Sequence, residues 1–150
     1  MKIIAVDLGA TFAWATNLPL RRRWGVVSTP GIRAHRLAAF SKFLRANRDW
    51  MQDADAFVYE TPFARGRDAT RSLWGMAGVL EAEVTEMGLP MVDVAVATIK
   101  KFATGKGNGP KVSMIAAAQR LGYRGHNEHE ADAYCLLKYS EVNLERGDLA

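Results

Sequence analysis

The sequence predicts an α/β domain with a mixed five-stranded sheet, its first three strands antiparallel, and helices on both faces. Three observations lead there. Three short apolar runs follow one another within the first 28 residues, too closely spaced for helices between them. Two later runs, Ala56–Glu60 and Met91–Val96, alternate with long stretches of helical periodicity. Hairpin strands followed by strand–helix crossovers give a sheet that is antiparallel at one side and parallel at the other.

Ile3–Asp7 is an uninterrupted apolar run ended by a carboxylate, the pattern of a buried strand. A short turn containing Gly9 leads to a second strand, Phe12–Thr16. Arg21, Arg22 and Arg23 precede a third, Trp24–Ser28. Leu37, Phe40 and Leu44 have helical spacing and mark a helix over Ile32–Ala46. Ala56–Glu60 is the fourth strand, broken by Thr61-Pro62. Leu73, Ala77, Leu80, Val84 and Met87 form one stripe of a long helix over Ala69–Met87, with Gly88 as its stop. Met91–Val96 is the fifth strand and Thr98–Phe102 a short helix. Thr104–Pro110 reads as a mobile loop, Lys111–Leu121 as a helix begun by Pro110, and Glu128–Asn143 as the last helix. The tail after about residue 143 is expected to be flexible.

The 150 residues suit a single domain, expected over 1–150. With 49% hydrophobic and 24% charged residues, the composition is that of an ordered globular protein. One cysteine, Cys135, excludes an internal disulfide framework and a cysteine zinc site, and its apolar surroundings suit a small core residue. No apolar run is long enough to span a bilayer, and Met1–Asp7 makes a poor signal peptide, so a cytoplasmic protein with no membrane partner is expected. The net charge of +4 permits nucleic-acid binding. Basic residues gather at Arg21–Arg23, at Arg65, Arg67 and Arg71, and at Lys100, Lys101, Lys106 and Lys111, either as solvated surface or as a phosphate-binding face.

Asp7 and Glu60 each end a buried strand, where ligand sites of open α/β sheets collect. An acid there must be solvated, paired or metal-bound, and a loop-tying carboxylate is the plainer role for either one alone. His129 and Asp132, three residues apart, share one face of the last helix, with small Ala131 and Ala133 permitting close approach. Acids at a helix start favour its dipole, which accounts for Glu128 and Glu130 but poorly for His129. Three carboxylates and an imidazole form an oxygen-rich set suited to Mg²⁺ or Mn²⁺, as one ion or as a pair able to promote phosphodiester cleavage.

These residues carry a family likeness. Ile4-Ala5-Val6-Asp7-Leu8-Gly9 resembles the opening strand of RuvC-like Holliday junction resolvases, and Val58-Tyr59-Glu60 their second acid. Ala97-Thr98-Ile99-Lys100-Lys101, with Gly105-Lys106-Gly107 and Lys111, is similar to their basic segment, and His129-Glu130-Ala131-Asp132-Ala133 to their closing motif. The resemblance runs in order across most of the chain and is weakest over Asn17–Arg36. It implies a ribonuclease H-like fold and a two-metal site of Asp7, Glu60, His129 and Asp132. It further implies a homodimer acting on four-way DNA junctions, with Lys100, Lys101 and Lys111 on phosphates. Compact relatives in phages fit a bacterial or phage-infected cell.

Phe63, Arg65, Arg67 and Arg71 follow Glu60 directly. An aromatic with arginines can wedge and hold opened DNA, or Phe63 can pack beneath the helix start. Three other readings compete. Asp7-Leu8-Gly9-Ala10-Thr11 also resembles the first phosphate loop of actin-like ATPases and sugar kinases, but no second loop accompanies it. A non-catalytic DNA-binding module on the same fold predicts decay of the acids, yet all four positions hold competent ligands. A related nuclease acting on flaps or RNA–DNA hybrids would share the chemistry.

Overall fold

The computed structural model describes residues 1–63, 66–105 and 113–149. Arg65, Lys106 and Lys111, with the greater part of the expected 104–110 loop, lie outside the described residues. The strands are β1 (Ile3–Asp7), β2 (Thr11–Thr16), β3 (Trp24–Ser28), β4 (Ala56–Glu60) and β5 (Met91–Val94). They form one sheet in the order β3-β2-β1-β4-β5. β1 pairs antiparallel with β2, and β2 with β3. β1 and β4 pair in parallel, as do β4 and β5. The central strand is therefore the one that ends in Asp7.

Side chains alternate across a strand, so β1 feeds both layers. Ile4 and Val6 join a core with Phe12, Phe40, Leu44, Phe57, Met76 and Leu80. That layer is covered by α1 (Arg33–Ala46), α2 (Arg48–Met51) and α3 (Arg67–Glu86). Ile3 and Ala5 face the other core, under α4 (Val96–Thr104), α5 (Met114–Arg120) and α6 (Glu128–Asn143). Ala5, Ala13 and Ala15 on the sheet and Ala131 and Ala133 on α6 are fully buried. Their missing side-chain volume lets α6 lie close against β1 and β2, which fixes where its first turns meet the sheet's end.

Several boundaries differ from the sequence expectation, each for a local reason. β2 begins one residue early, at Thr11, which pairs with Ser28. α1 starts at Arg33 with no side-chain cap from Ile32. The four-residue α2 carries too little periodicity to be foreseen. α3 starts at Arg67, because Gly66 takes φ +100°, a turn that only glycine enters easily. β5 stops at Val94, the partner of Glu60, because Ala95 already caps a longer α4. Thr104 belongs to that helix, and Gly105 closes it in the left-handed conformation. α5 begins at Met114, where the Ser113 hydroxyl accepts from the Ala116 N–H at 3.4 Å; the expected start at Lys111 lies outside the described residues. In the tail, Arg146–Leu149 form a 3₁₀ turn, in which the Glu145 N–H donates to Asp148 Oδ2 at 2.7 Å.

Candidate active site

The parallel register of β1 and β4 runs through Ala5–Val58 to Val6–Tyr59, so Asp7 and Glu60 end neighbouring strands at the same edge of the sheet. Strand alternation puts both on the α6 side, in phase with Ala5 and Val58. On α6, the Asn127 side chain caps the helix by accepting from the Glu130 N–H at 3.0 Å. His129, in the first turn, brings Nδ1 to 3.4 Å from Asp7 Oδ2. Asp132 follows one turn later, half-buried between Ala131 and Ala133.

The electrostatics tie these groups together. Burial pushes the Asp132 carboxyl up to about 7, reinforced by the negative charges of Asp7, Glu60 and Glu128 and opposed by His129. The hydrogen bond to Asp7 raises the His129 imidazole, against desolvation and with further help from the charges of Asp7, Asp132 and Glu128. Asp7 is thus the strand-end carboxylate that both α6 residues sense. Among the described residues, no three or more His, Cys, Asp or Glu side chains are gathered closely enough to hold a metal ion as they stand. The donor chemistry still suits a hard divalent cation: oxygens predominate, and burial, with the charges of Asp7 and Glu60 added to it, leaves Asp132 short of a positive partner.

Beside Asp7 and Glu60 lies a small cleft of about 60 Å³ whose lining includes Thr61, Phe63 and Leu73. Phe63 is 64% exposed there, so it does not pack beneath the start of α3. Thr61 was legible in the sequence only as part of a strand break. In the fold its N–H donates to the Val94 carbonyl at 2.9 Å and its hydroxyl to Asp93 Oδ2 at 2.7 Å. These bonds fix the chain leaving Glu60. Arg67 and Arg71 are exposed on the first turns of α3, and Lys100 and Lys101 are exposed on α4. Cys135 is buried, and burial pushes its thiol up to about 12, as befits a core residue with no nucleophilic role.

The mixed sheet with three leading antiparallel strands and a final helix laid against its centre is the ribonuclease H-like fold of RuvC-type proteins. The chain superposes on a Thermus thermophilus RuvC structure with a TM-score of 0.74, covering 95% of this chain and 96% of that one at 15% identity. A T. thermophilus RuvC in complex with a Holliday junction substrate gives a TM-score of 0.75 over 91% and 90% of the two chains, at 16% identity. No family model and no curated protein matches the sequence. Among the described residues, no helix is long and apolar enough to cross a membrane.

Proposed function

We propose that the protein is a metal-dependent endodeoxyribonuclease that resolves four-way DNA junctions as a homodimer, in the cytoplasm of a bacterial or phage-infected cell. The observation that carries this reading is the sheet edge shared by Asp7 and Glu60 on the paired strands β1 and β4, with α6 laid against it so that His129 Nδ1 stands 3.4 Å from Asp7 Oδ2 and Asp132 feels the charges of both strand-end acids. Asp7, Glu60, Asp132 and His129 would hold Mg²⁺ or Mn²⁺, two ions in the full site. When bound, such ions neutralise the charge of the phosphodiester and acidify water.

The chain's own groups divide the remaining work. Asp7, on the rigid central strand, would be the most firmly positioned oxygen ligand of the set. His129 is oriented through Nδ1 by Asp7, and with 46% of its side chain exposed its other ring nitrogen would either ligate a metal ion or exchange a proton with the attacking water. Phe63 lines the cleft, and Arg67 and Arg71 on α3 with Lys100 and Lys101 on α4, all exposed, would bind phosphates. Arg65, Lys106 and Lys111 complete this basic set in the proposal. The test is cleavage of a synthetic four-way junction with Mg²⁺, beside linear duplex, flap and RNA–DNA hybrid substrates. Paired nicks in opposing strands of the junction alone support the proposal. Cleavage confined to hybrid or flap would reassign the substrate.

A further inference from the structure

On the other side of the β1–β2 turn from α6 lies a cavity of about 360 Å³, between the first turns of α1 and α3. Its walls include Gly9-Ala10, Arg33, Arg36 and Ser72, over an apolar floor of Leu37, Leu73 and Met76. Arg33 and Arg36 are both half-buried, and among the described residues neither guanidinium forms a salt bridge. The Nε of Arg36 is buried without a hydrogen-bond partner, an arrangement that wastes a charged donor. A single carboxylate, the exposed Asp68, also lines the cavity, so the cations outnumber it.

We infer that this cavity receives one nucleotide of a DNA strand, its phosphate on Arg33 and Arg36 and its sugar and base on Leu37, Leu73 and Met76. The inference takes its ligand class from the nuclease reading above. Size favours a nucleotide over a bare phosphate, since the volume lies within the ~300–1,000 Å³ usual for small-molecule pockets. Position favours a strand over a free nucleotide. Leu73 lines both this cavity and the cleft of Asp7 and Glu60, so the two hollows share a wall. A strand crossing Leu73 places one unit in the cavity and its neighbour at the carboxylates.

The experiment is a methyl NMR titration of the metal-free protein with the tetranucleotide d(T)₄, with dTMP and inorganic phosphate as competitors. The expected result is saturable shifts of the Leu73 and Met76 methyls, tightest with d(T)₄. Ser72→Phe, which fills the cavity without removing a charge, should abolish them. Arg36→Ala should weaken binding roughly tenfold, the loss of one charge-assisted hydrogen bond. If Arg36→Ala does not fold, Arg33→Ala and Ser72→Phe carry the same test. Absence of saturable shifts overturns the inference, as does dTMP or phosphate binding as tightly as d(T)₄. A protein that cuts junctions yet shows no such shifts loses the pocket and keeps the nuclease reading. One that binds d(T)₄ here but cuts nothing loses only the latter.

Discussion

His129 Nδ1 lies 3.4 Å from Asp7 Oδ2, joining the first turn of α6 to the end of the central strand. The pairing accounts for a histidine where the helix dipole disfavours positive charge, because the carboxylate facing it outweighs that field. The His129 midpoint should therefore lie above 6.5. Its charged pairing with Asp7 is fully present below that value and is lost as pH rises through the folded-state pKa. An NMR pH titration of the histidine ring should show this midpoint fall in Asp7→Asn. An unchanged midpoint would separate the two residues electrostatically.

Asp132 has a linkage of the same sign, although it is an acid. Its carboxyl rises from 3.8 to about 7 on folding, so the folded chain holds a proton that the unfolded chain releases between those values. Stability contributed by this group is greatest below 3.8, declines as pH rises and reaches its full penalty above about 7. Asp132→Asn should stabilise the metal-free protein at pH 8 by up to about 4 kcal/mol, less whatever relaxation recovers. The gain should vanish near pH 4. Urea denaturation at the two pH values measures the difference.

Divalent cations should reverse that penalty. Millimolar Mg²⁺ should raise the melting temperature at pH 8, with a shift that grows with ion concentration. The shift should be lost in Asp7→Asn and in Glu60→Gln. A thermal melt in which these variants respond like the parent would place the ion elsewhere.

Lys100 and Lys101 are exposed on α4 and carry a prediction about affinity alone. Replacing both with alanine should weaken junction binding. It should also reduce the slope of log affinity against log salt by roughly 0.9 for each phosphate that is no longer neutralised. Fluorescence anisotropy across a salt series reads the slope directly.

Gly25 on β3 tests the sheet that carries the site. A Cβ there would stand 2.7 Å from Trp14 Nε1, and Trp14 is itself packed on Trp50 with ring centroids 5.2 Å apart. Gly25→Ala should destabilise the fold by about 1–3 kcal/mol through overpacking. The urea midpoint should fall accordingly.

β1 and β4 were legible to the residue because each is an apolar run meeting a carboxylate, Asp7 or Glu60, and β3 because the arginine triplet precedes it. α2 was not legible, since four residues hold barely one helical turn. The end of β5 is hidden in the sequence because Ala95 and Val96 continue the apolar run while the backbone has already turned into α4. Residue spacing brought His129 and Asp132 to one helix face, but only the register of β1 with β4 sets Asp7 beside Glu60. The cavity of Arg33 and Arg36 was invisible in the sequence, because its walls come from three separate segments.

The most direct test of the central claim compares the parent and Asp7→Asn on one synthetic four-way junction, measuring binding and Mg²⁺-dependent cleavage together. The expected result is paired nicks by the parent, and undiminished binding with no cleavage by Asp7→Asn. Normal cleavage by Asp7→Asn would contradict the assigned site. Tight binding by a parent that never cleaves would contradict the enzyme itself and leave a DNA-binding module on the same fold.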